Sequence, residues 1–482
     1  MRTAYTADQI RAAEHTLMAT LPPGTLMQRA AAGLAAACAA LLGKVYGSRV
    51  VLLVGSGDNG GDALWAGERL ARRGARVAAV LAGAKTHEAG LAAFLRAGGR
   101  VAERDALGTA DLVVDGLVGI GASGALREPY AGLAEEANAG RAPVVAVDVP
   151  SGVDASTGRV EGAAVRARLT VTMGALKTGL LVDPGAARTG RVELVDIGLG
   201  PHLPGPDVAA LTDGDVAGLL PRPGNESDKY RRGVLGVLAG SDLYTGAAVL
   251  AVGGALRAGA GMVRYAGPAE PVAQVRAAWP EAVITPLDRP SIEDVGRVQA
   301  WVLGPGLGTG DWAHELAAQV LGTHLPVLVD ADGLSVVAGD RSLLRRSAPT
   351  LITPHAGELA RLIRAGREDI EAARLEHARA AAAELGVTVL LKGSTTVVAE
   401  ESRPVRVNPT GTSWLATGGT GDVLSGVAGA LLAQGLGPYD AGSCAAYLHG
   451  LAGRLAADGA PLAAADVATA VPAAVRALTA RT

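Results

Sequence analysis

Between residues 50 and 200 the chain repeats one hydrophobic pattern: a short run of consecutive β-branched and aliphatic residues, a glycine-rich turn, then a stretch of Ala, Leu and Arg with helical spacing. "RVVLLVGSGDNGGDALWAGERLARRG" is the first unit, followed by "ADLVVDGLVGIGASG", "APVVAVDVPSGVD" and "LTVTMGALKTGL". A run that is apolar at every position, rather than at alternate ones, fits a strand buried on both faces. Alternation with amphipathic helices then predicts a parallel sheet covered on both sides. Ligands of such sheets gather at the carboxyl ends of the strands, where each of these runs ends in a polar cluster.

The pattern stops in "GPHLPGPDVAALTDGDVAGLLPRPGNESDKY", rich in Pro, Gly and Asp, and restarts with "RGVLGVLAGS". It continues through "AWVLGPGLGTG", "PVLVDADGL", "PTLITPHAGEL" and "VTVLLKGSTTVV". The interruption predicts a boundary near residue 205, giving domains 1–205 and 206–482 of an α/β protein. No short-period repeat points to a solenoid.

Composition narrows the partners. Apolar residues make up 49% of the 482 positions and charged ones 19%, so both halves can bury a core. A net charge of −3 without a long Lys/Arg run argues against a nucleic-acid surface and leaves small molecules as the expected partners. Cys38 and Cys444, far apart in Ala-rich patterns, offer neither a disulfide framework nor a CxxC metal site, which fits a reducing cytoplasm. The charged first turns lack a secretory core, and no stretch runs to roughly 18 uninterrupted apolar residues, so a soluble chain without a membrane span is expected. The Ala-rich C-terminal segment "LAAADVATAVPAAVRALTA" could pack on its own domain or on another subunit; a homo-oligomer is the expected assembly.

Two glycine-rich turns carry the candidate chemistry. "GSGDNGGDA" leaves a strand and enters a helix, so its N–H groups could receive an anion; a purely structural turn is the alternative. Asn59, Asp115 and Ser151 each sit just past a strand end, where three hard oxygen donors could hold a cation or could serve turn chemistry alone. "ATGGTGDVLSG", residues 416–426, sets Asp422 beside bare backbone N–H groups at a helix start. The glycines allow a phosphate to approach, and the carboxylate is placed to take a proton from a hydroxyl attacking that phosphate. The alternative is that Asp422 merely caps the helix from Val423 onward.

"GDNGGDA", "VDGLVGIGASG", "AVDVPSGVDASTG" and "TMGALKTGL", after "TLMQRAAAGLA", resemble the NAD(P)H-hydrate epimerase domain over nearly all of residues 1–200. The resemblance implies potassium ligands at Asn59, Asp115 and Ser151. It implies that Asp58, Asn59, Gly60, Gly61 and Asp62, as a loop, hold the hydrated nucleotide together with a second loop of Gly119, Ile120, Gly121, Ala122, Ser123, Gly124 and Ala125. Asp148 would contact the ring and serve as the acid/base group of epimerisation, unless it only pins its turn. The family's usual "GNNGGDG" and "DALFGTG" appear as "GDNGGDA" and "DGLVGIG". Asp58 thus places an extra carboxylate near phosphates, which weakens binding unless it is turned outward or paired.

The second half, from "KYRRGVLGVLAGSDLYTGAAVLAVGGALRAGAGMVR" through "VLGPGLG", "VLVDADGL", "TPHAGEL" and "LLKGSTTVV" to the Asp422 motif, resembles the ADP-dependent NAD(P)H-hydrate dehydratase, a ribokinase-like fold. It departs at Asp228-Lys229, where many members have His-Lys. The resemblance implies that Ala247, Gly306, His355 and Asp422 contact the hydrated nucleotide. Lys392, Gly393, Ser394, Thr395, Thr396 and Gly421 would hold ADP, which Mg²⁺ accompanies, with Asp422 as catalytic base. Glu358 is a further position that could orient Mg²⁺ or water. The two halves together resemble the bifunctional NAD(P)H-hydrate repair enzymes: two three-layer α/β domains, Rossmann-like then ribokinase-like, with hydrated NADH, hydrated NADPH and ADP as substrates. The rivals are a kinase of small alcohols on the same C-terminal fold and a nucleotide-binding module without turnover.

Overall fold

The computed structural model describes residues 1–479. The chain divides into two compact units, Thr3–Val208 and Met1–Arg2 with Ala209–Thr482.

In the first unit a seven-stranded sheet runs in the order Arg100–Val101, Arg76–Leu81, Arg49–Val54, Leu112–Gly116, Val144–Val147, Leu169–Met173, Arg191–Val195. Every pairing is parallel. The order reverses between Arg49–Val54 and Leu112–Gly116, which opens a crevice at their carboxyl ends. Val50, Leu52, Val54, Leu112 and Val114 are buried against helices Thr25–Leu42 and Asp58–Arg72 on one face, while Val51, Leu53 and Val113 are buried in a second cluster. Two-sided burial is why these runs are apolar at every position. Helix Thr25–Leu42 has the length and mean hydropathy, 1.4, of a membrane span. Its Ala30, Ala31, Leu34, Ala35 and Cys38 are among the residues buried within the unit.

One expectation is corrected. Positions 58–62 form no loop: they are the opening of helix Asp58–Arg72, which starts directly after the Gly57 cap. Close packing demands the glycines there. A Cβ on Gly60 would lie 2.3 Å from the Gly55 carbonyl oxygen, and one on Gly61 2.9 Å from the Met27 methyl.

The second unit contains seven parallel strands in the order Val283–Pro286, Met262–Gly267, Val234–Leu238, Ala300–Leu303, Val327–Val329, Thr350–Ile352, Thr388–Leu391. Thr396–Ala399 and Val405–Asn408 then extend the sheet antiparallel. Helices Thr245–Arg257 and Thr420–Ala433 pack almost backbone to backbone: a Cβ on Gly426 would stand 2.0 Å from the Ala251 oxygen, and one on Gly254 2.4 Å from that of Val423. That contact fixes where the Thr420 helix begins, and with it the glycine turn. The C-terminal helix Ala464–Thr479 buries Val467, Val471, Ala474 and Leu478 in the core of its own unit.

Candidate active sites

In the second unit, Gly419 starts the helix with φ 89°, a left-handed conformation natural to glycine. It provides no side-chain cap, and Asp422 lies inside the first turn rather than at the cap position. Burial, reinforced by Asp330, pushes the Asp422 carboxyl up to about 7, with Lys392 acting in the opposite sense. The Lys392 ammonium lies 2.6 Å from Asp330 Oδ1 and 3.7 Å from Glu358 Oε2. Burial works against that ammonium, but the charges of Asp330 and Glu358 prevail and hold its pKa above the ordinary value. Ser425 Oγ donates to the other oxygen of Asp330 at 2.7 Å, so the one side chain ties the lysine to the Asp422 helix.

The remaining predicted residues divide between two places. Lys392, Gly393, Ser394, Thr396 and Gly421 line a cavity of about 490 Å³. Thr395 does not: it is buried away from that lining. Gly421 brings bare backbone to Lys392, since a Cβ there would be 3.5 Å from Nζ. Ala247 and Gly306 meet elsewhere: a Cβ on Gly306 would come 2.8 Å from that of Ala247. His355 caps helix Ala356–Ile363, its Nδ1 accepting from Gly357 N and Glu358 N at 2.9 and 3.3 Å. Burial, despite opposition from Glu358, lowers its pKa, consistent with a neutral ring whose Nδ1 is an acceptor. The backbone segments of His355 and Lys392 bridge each other, so the histidine is beside the lysine cluster.

In the first unit a cavity of about 600 Å³ is lined by Glu14, Asp58, Asn59, Asp62, Ile120 and Asp148, among others. Asp58 is exposed, as its helix-start position allows. Of the 119–125 loop only Ile120 reaches the wall. Gly119 packs on Asn59, where a Cβ would lie 2.4 Å from Oδ1, and Gly121, Ser123, Gly124 and Ala125 are exposed beyond it, with Ala122 half-buried. Asp148 has φ 68°, a conformation costly for a non-glycine residue and typical of functional turns. Its Oδ1 accepts from Thr172 Oγ1 at 3.1 Å, Met173 N at 3.0 Å and the buried Lys177 ammonium. Lys177 Nζ also donates to the Met173 carbonyl at 2.8 Å.

Asp115 is wholly buried and accepts from Ser151 N at 2.8 Å, Ser151 Oγ at 2.6 Å and Leu117 N at 3.3 Å. Burial pushes its carboxyl up to about 6 against these hydrogen bonds. The Asn59 amide donates to the carbonyls of Val118 and Val147 at 3.0 and 2.7 Å, and Val118 N donates to Ser151 Oγ at 3.1 Å. Asn59, Asp115 and Ser151 are thus linked at one edge of the crevice. Sequence reasoning missed Lys177 and Asp330, although each stands in a quoted motif, "ALKTGL" and "LVDADGL". A charged residue directly following an apolar strand was the available signal.

The profile of the family described as NAD(P)H-hydrate dehydratase matches residues 235–472, and that of the YjeF-related protein N-terminus matches residues 23–179. The bifunctional NAD(P)H-hydrate repair enzyme Nnr of Mycobacterium tuberculosis is 52% identical over 442 residues, 90% of each chain. Its namesake from Mycobacterium leprae is 49% identical over 463 residues, 95% of this chain and 94% of that one. The solved ADP/ATP-dependent NAD(P)H-hydrate dehydratase from Bacillus subtilis, co-crystallised with ATP and Mg²⁺, is 31% identical with a TM-score of 0.51, covering 56% of this chain and 99% of that one.

Proposed function

The chain belongs to the bifunctional NAD(P)H-hydrate repair enzymes, combining epimerase and dehydratase activities, and from that premise we propose how its two units divide the work. The first, with domain limits 1–205, interconverts the R and S forms of hydrated NADH and NADPH. The second, 206–482, dehydrates the S form with ADP as phosphoryl donor, giving AMP and phosphate. Hydration of the ring yields both epimers, so a stereospecific dehydratase needs an epimerase to clear the other.

The observation that carries the dehydratase assignment is the Asp422 carboxyl, at about 7, in the first turn of a glycine-started helix beside Lys392. A carboxyl poised near neutrality can accept the proton of the ring hydroxyl as that oxygen attacks the terminal phosphoryl group of ADP. Departure of phosphate as the ring nitrogen's lone pair forms a C=N bond, followed by loss of a proton from the neighbouring ring carbon to water, then restores the ring double bond. Lys392 supplies a point charge to the nucleotide phosphates, Gly421 supplies bare backbone, and Gly393, Ser394 and Thr396 line the same cavity. The buried Thr395 supports the turn, and Ala247, Gly306 and His355 are assigned to the hydrated nucleotide by family resemblance.

No three His, Cys, Asp or Glu side chains among the described residues form a metal cage. That fits Mg²⁺ held chiefly by phosphates and by one or two carboxylates, for which Glu358, beside Lys392, is the candidate. Bound there, the ion would neutralise charge on the transferring phosphoryl group. In the first unit the buried Asp115 carboxyl, with only neutral hydrogen-bond donors around it, fits K⁺ held together with Asn59 and Ser151. Asp148 is assigned as a catalytic group of epimerisation and the 58–62 and 119–125 segments to the hydrated nucleotide.

The test supplies mixed epimers of hydrated NADH with ADP and Mg²⁺ and follows return of the dihydronicotinamide absorbance alongside released phosphate, for the natural protein and Asp422→Asn. Both signals should rise together, consume both epimers and vanish in the variant. A stable phosphorylated product without free phosphate would instead favour the small-alcohol kinase.

A further inference from the structure

Within the 600 Å³ cavity of the first unit, two carboxyls stand in opposite circumstances. Asp148 is engaged by the Lys177 ammonium, by Thr172 and by the Met173 amide, a set that stabilises negative charge. Asp62, on the facing helix Asp58–Arg72, is nine-tenths buried, and its Oδ1 is sealed from solvent with no hydrogen-bond partner among the described residues. An ionised carboxylate cannot be held that way cheaply, whereas a protonated one needs far less solvation. Burial, with added repulsion from Asp148, Asp58 and Glu14 and only Lys177 in opposition, raises its pKa well above the ordinary carboxyl value. A sealed, unpartnered carboxyl and one paired with an ammonium in the same cavity are suited to the donor and acceptor roles of an acid and base pair.

We propose that Asp62 is the proton donor of epimerisation, working opposite the Lys177-paired Asp148 as proton acceptor. This rests on the epimerase reading of the first unit and deepens it. The hydroxyl to be inverted is on a carbon bonded to the ring nitrogen. Asp62 gives its proton to that hydroxyl; the C–O bond breaks as the nitrogen lone pair forms a C=N bond, and water is released. Water then adds to the opposite face, forming the new C–O bond while the C=N electron pair returns to nitrogen and the Asp148 carboxylate takes the water's proton. Passage of that proton from Asp148 to Asp62 through water resets the site. No redox change occurs, and the other epimer runs the roles in reverse.

The test uses the full-length protein with a single epimer of hydrated NADPH and no ADP, so that dehydration is silent, and follows the epimer ratio by chromatography from pH 6 to 9. Asp62→Asn, which keeps the shape but cannot donate an acidic proton, should lower kcat by about 100-fold or more with KM within a few-fold. The natural protein's rate should decline on the alkaline side as Asp62 loses its proton, and Asp62→Asn should lack that decline. Glu14→Gln, altering a half-buried carboxyl on the same wall, should retain the decline. Dehydration of the S epimer with ADP reports that each variant's second unit is intact, and a melting profile reports on the first. Where Asp62→Asn disturbs that profile, Asp62→Glu decides instead: it should retain the alkaline decline. An Asp62→Asn rate within about 3-fold of the natural one, a loss confined to KM, or an unchanged alkaline decline would overturn the assignment. A natural protein that dehydrates but never epimerises would remove the epimerase reading itself, a result separable from failure of Asp62 alone.

Discussion

Replacing Asp422 by Asn should destroy dehydration yet stabilise the protein, and by more as the pH rises from about 4 to above 7. The native carboxyl is raised from 3.8 to about 7, principally by burial. Because the folded-state value lies above the unfolded one, ionisation is penalised in the fold. The penalty is absent below the unfolded value, grows between 3.8 and about 7, and is complete above that. The difference between 3.8 and about 7 corresponds to roughly 4 kcal/mol in full, of which somewhat less than half is in force at pH 5. Part of the gain at high pH is cancelled, because Asp422 also supports the charge of Lys392. A net stabilisation of roughly 1–2 kcal/mol at pH 8 over pH 5 remains, or about 2–8 °C in the second unit's transition. Thermal melts of both proteins without nucleotide, at pH 5 and pH 8, make the comparison. An Asn variant that melts no higher at pH 8, or whose gain is equal at the two pH values, would refute a buried carboxylate as the source. Turnover should meanwhile fall by about 100-fold or more, since the base is gone. In the natural protein dehydration should rise with pH through about 7, as Asp422 ionises.

Three further outcomes follow from particular contacts. Lys392→Met leaves the Asp330 carboxylate, 1% exposed, without its cation, and should cost about 3–5 kcal/mol in denaturant melts of the second unit while raising KM for ADP. Gly426→Ala drives a methyl to within 2.0 Å of the Ala251 oxygen and should force the two helices apart at a cost of about 1–3 kcal/mol, with dehydration reduced because the Asp422 turn moves with its helix. Asp115→Asn removes the buried charge assigned to K⁺ and should make epimerisation insensitive to exchange of potassium for a bulky organic cation, whereas the natural protein should lose activity on that exchange.

Much of the site was legible before any coordinates. The Asp422 turn can be read because glycines at 418, 419 and 421 and a carboxylate at 422 form one contiguous stretch, and Gly419 does adopt the left-handed conformation that the composition invites. Asn59, Asp115 and Ser151 can be singled out because each follows an apolar run, and adjacent parallel strands bring such ends together. The 58–62 segment reads as a loop yet opens a helix. Its glycines signal close packing against Gly55 as readily as phosphate approach, and sequence does not distinguish the two. Thr395 groups with its neighbours by contiguity, yet contiguity does not say which residues of a bend line the cavity and which are buried.

The sequence by itself therefore determined the local features: where strands alternate with helices, where glycine must start a turn, and which carboxylates stand at strand ends, since each depends on residues within a few positions of one another. Only the tertiary structure decided the charge states. Lys392 meets Asp330 across 62 residues, Lys177 meets Asp148 across 29, and Ser425 meets Asp330 across 95. Whether a carboxyl is paired like Asp148 or unpartnered like Asp62 depends on desolvation and on which charges the fold brings near it, and neither is a property of the local chain.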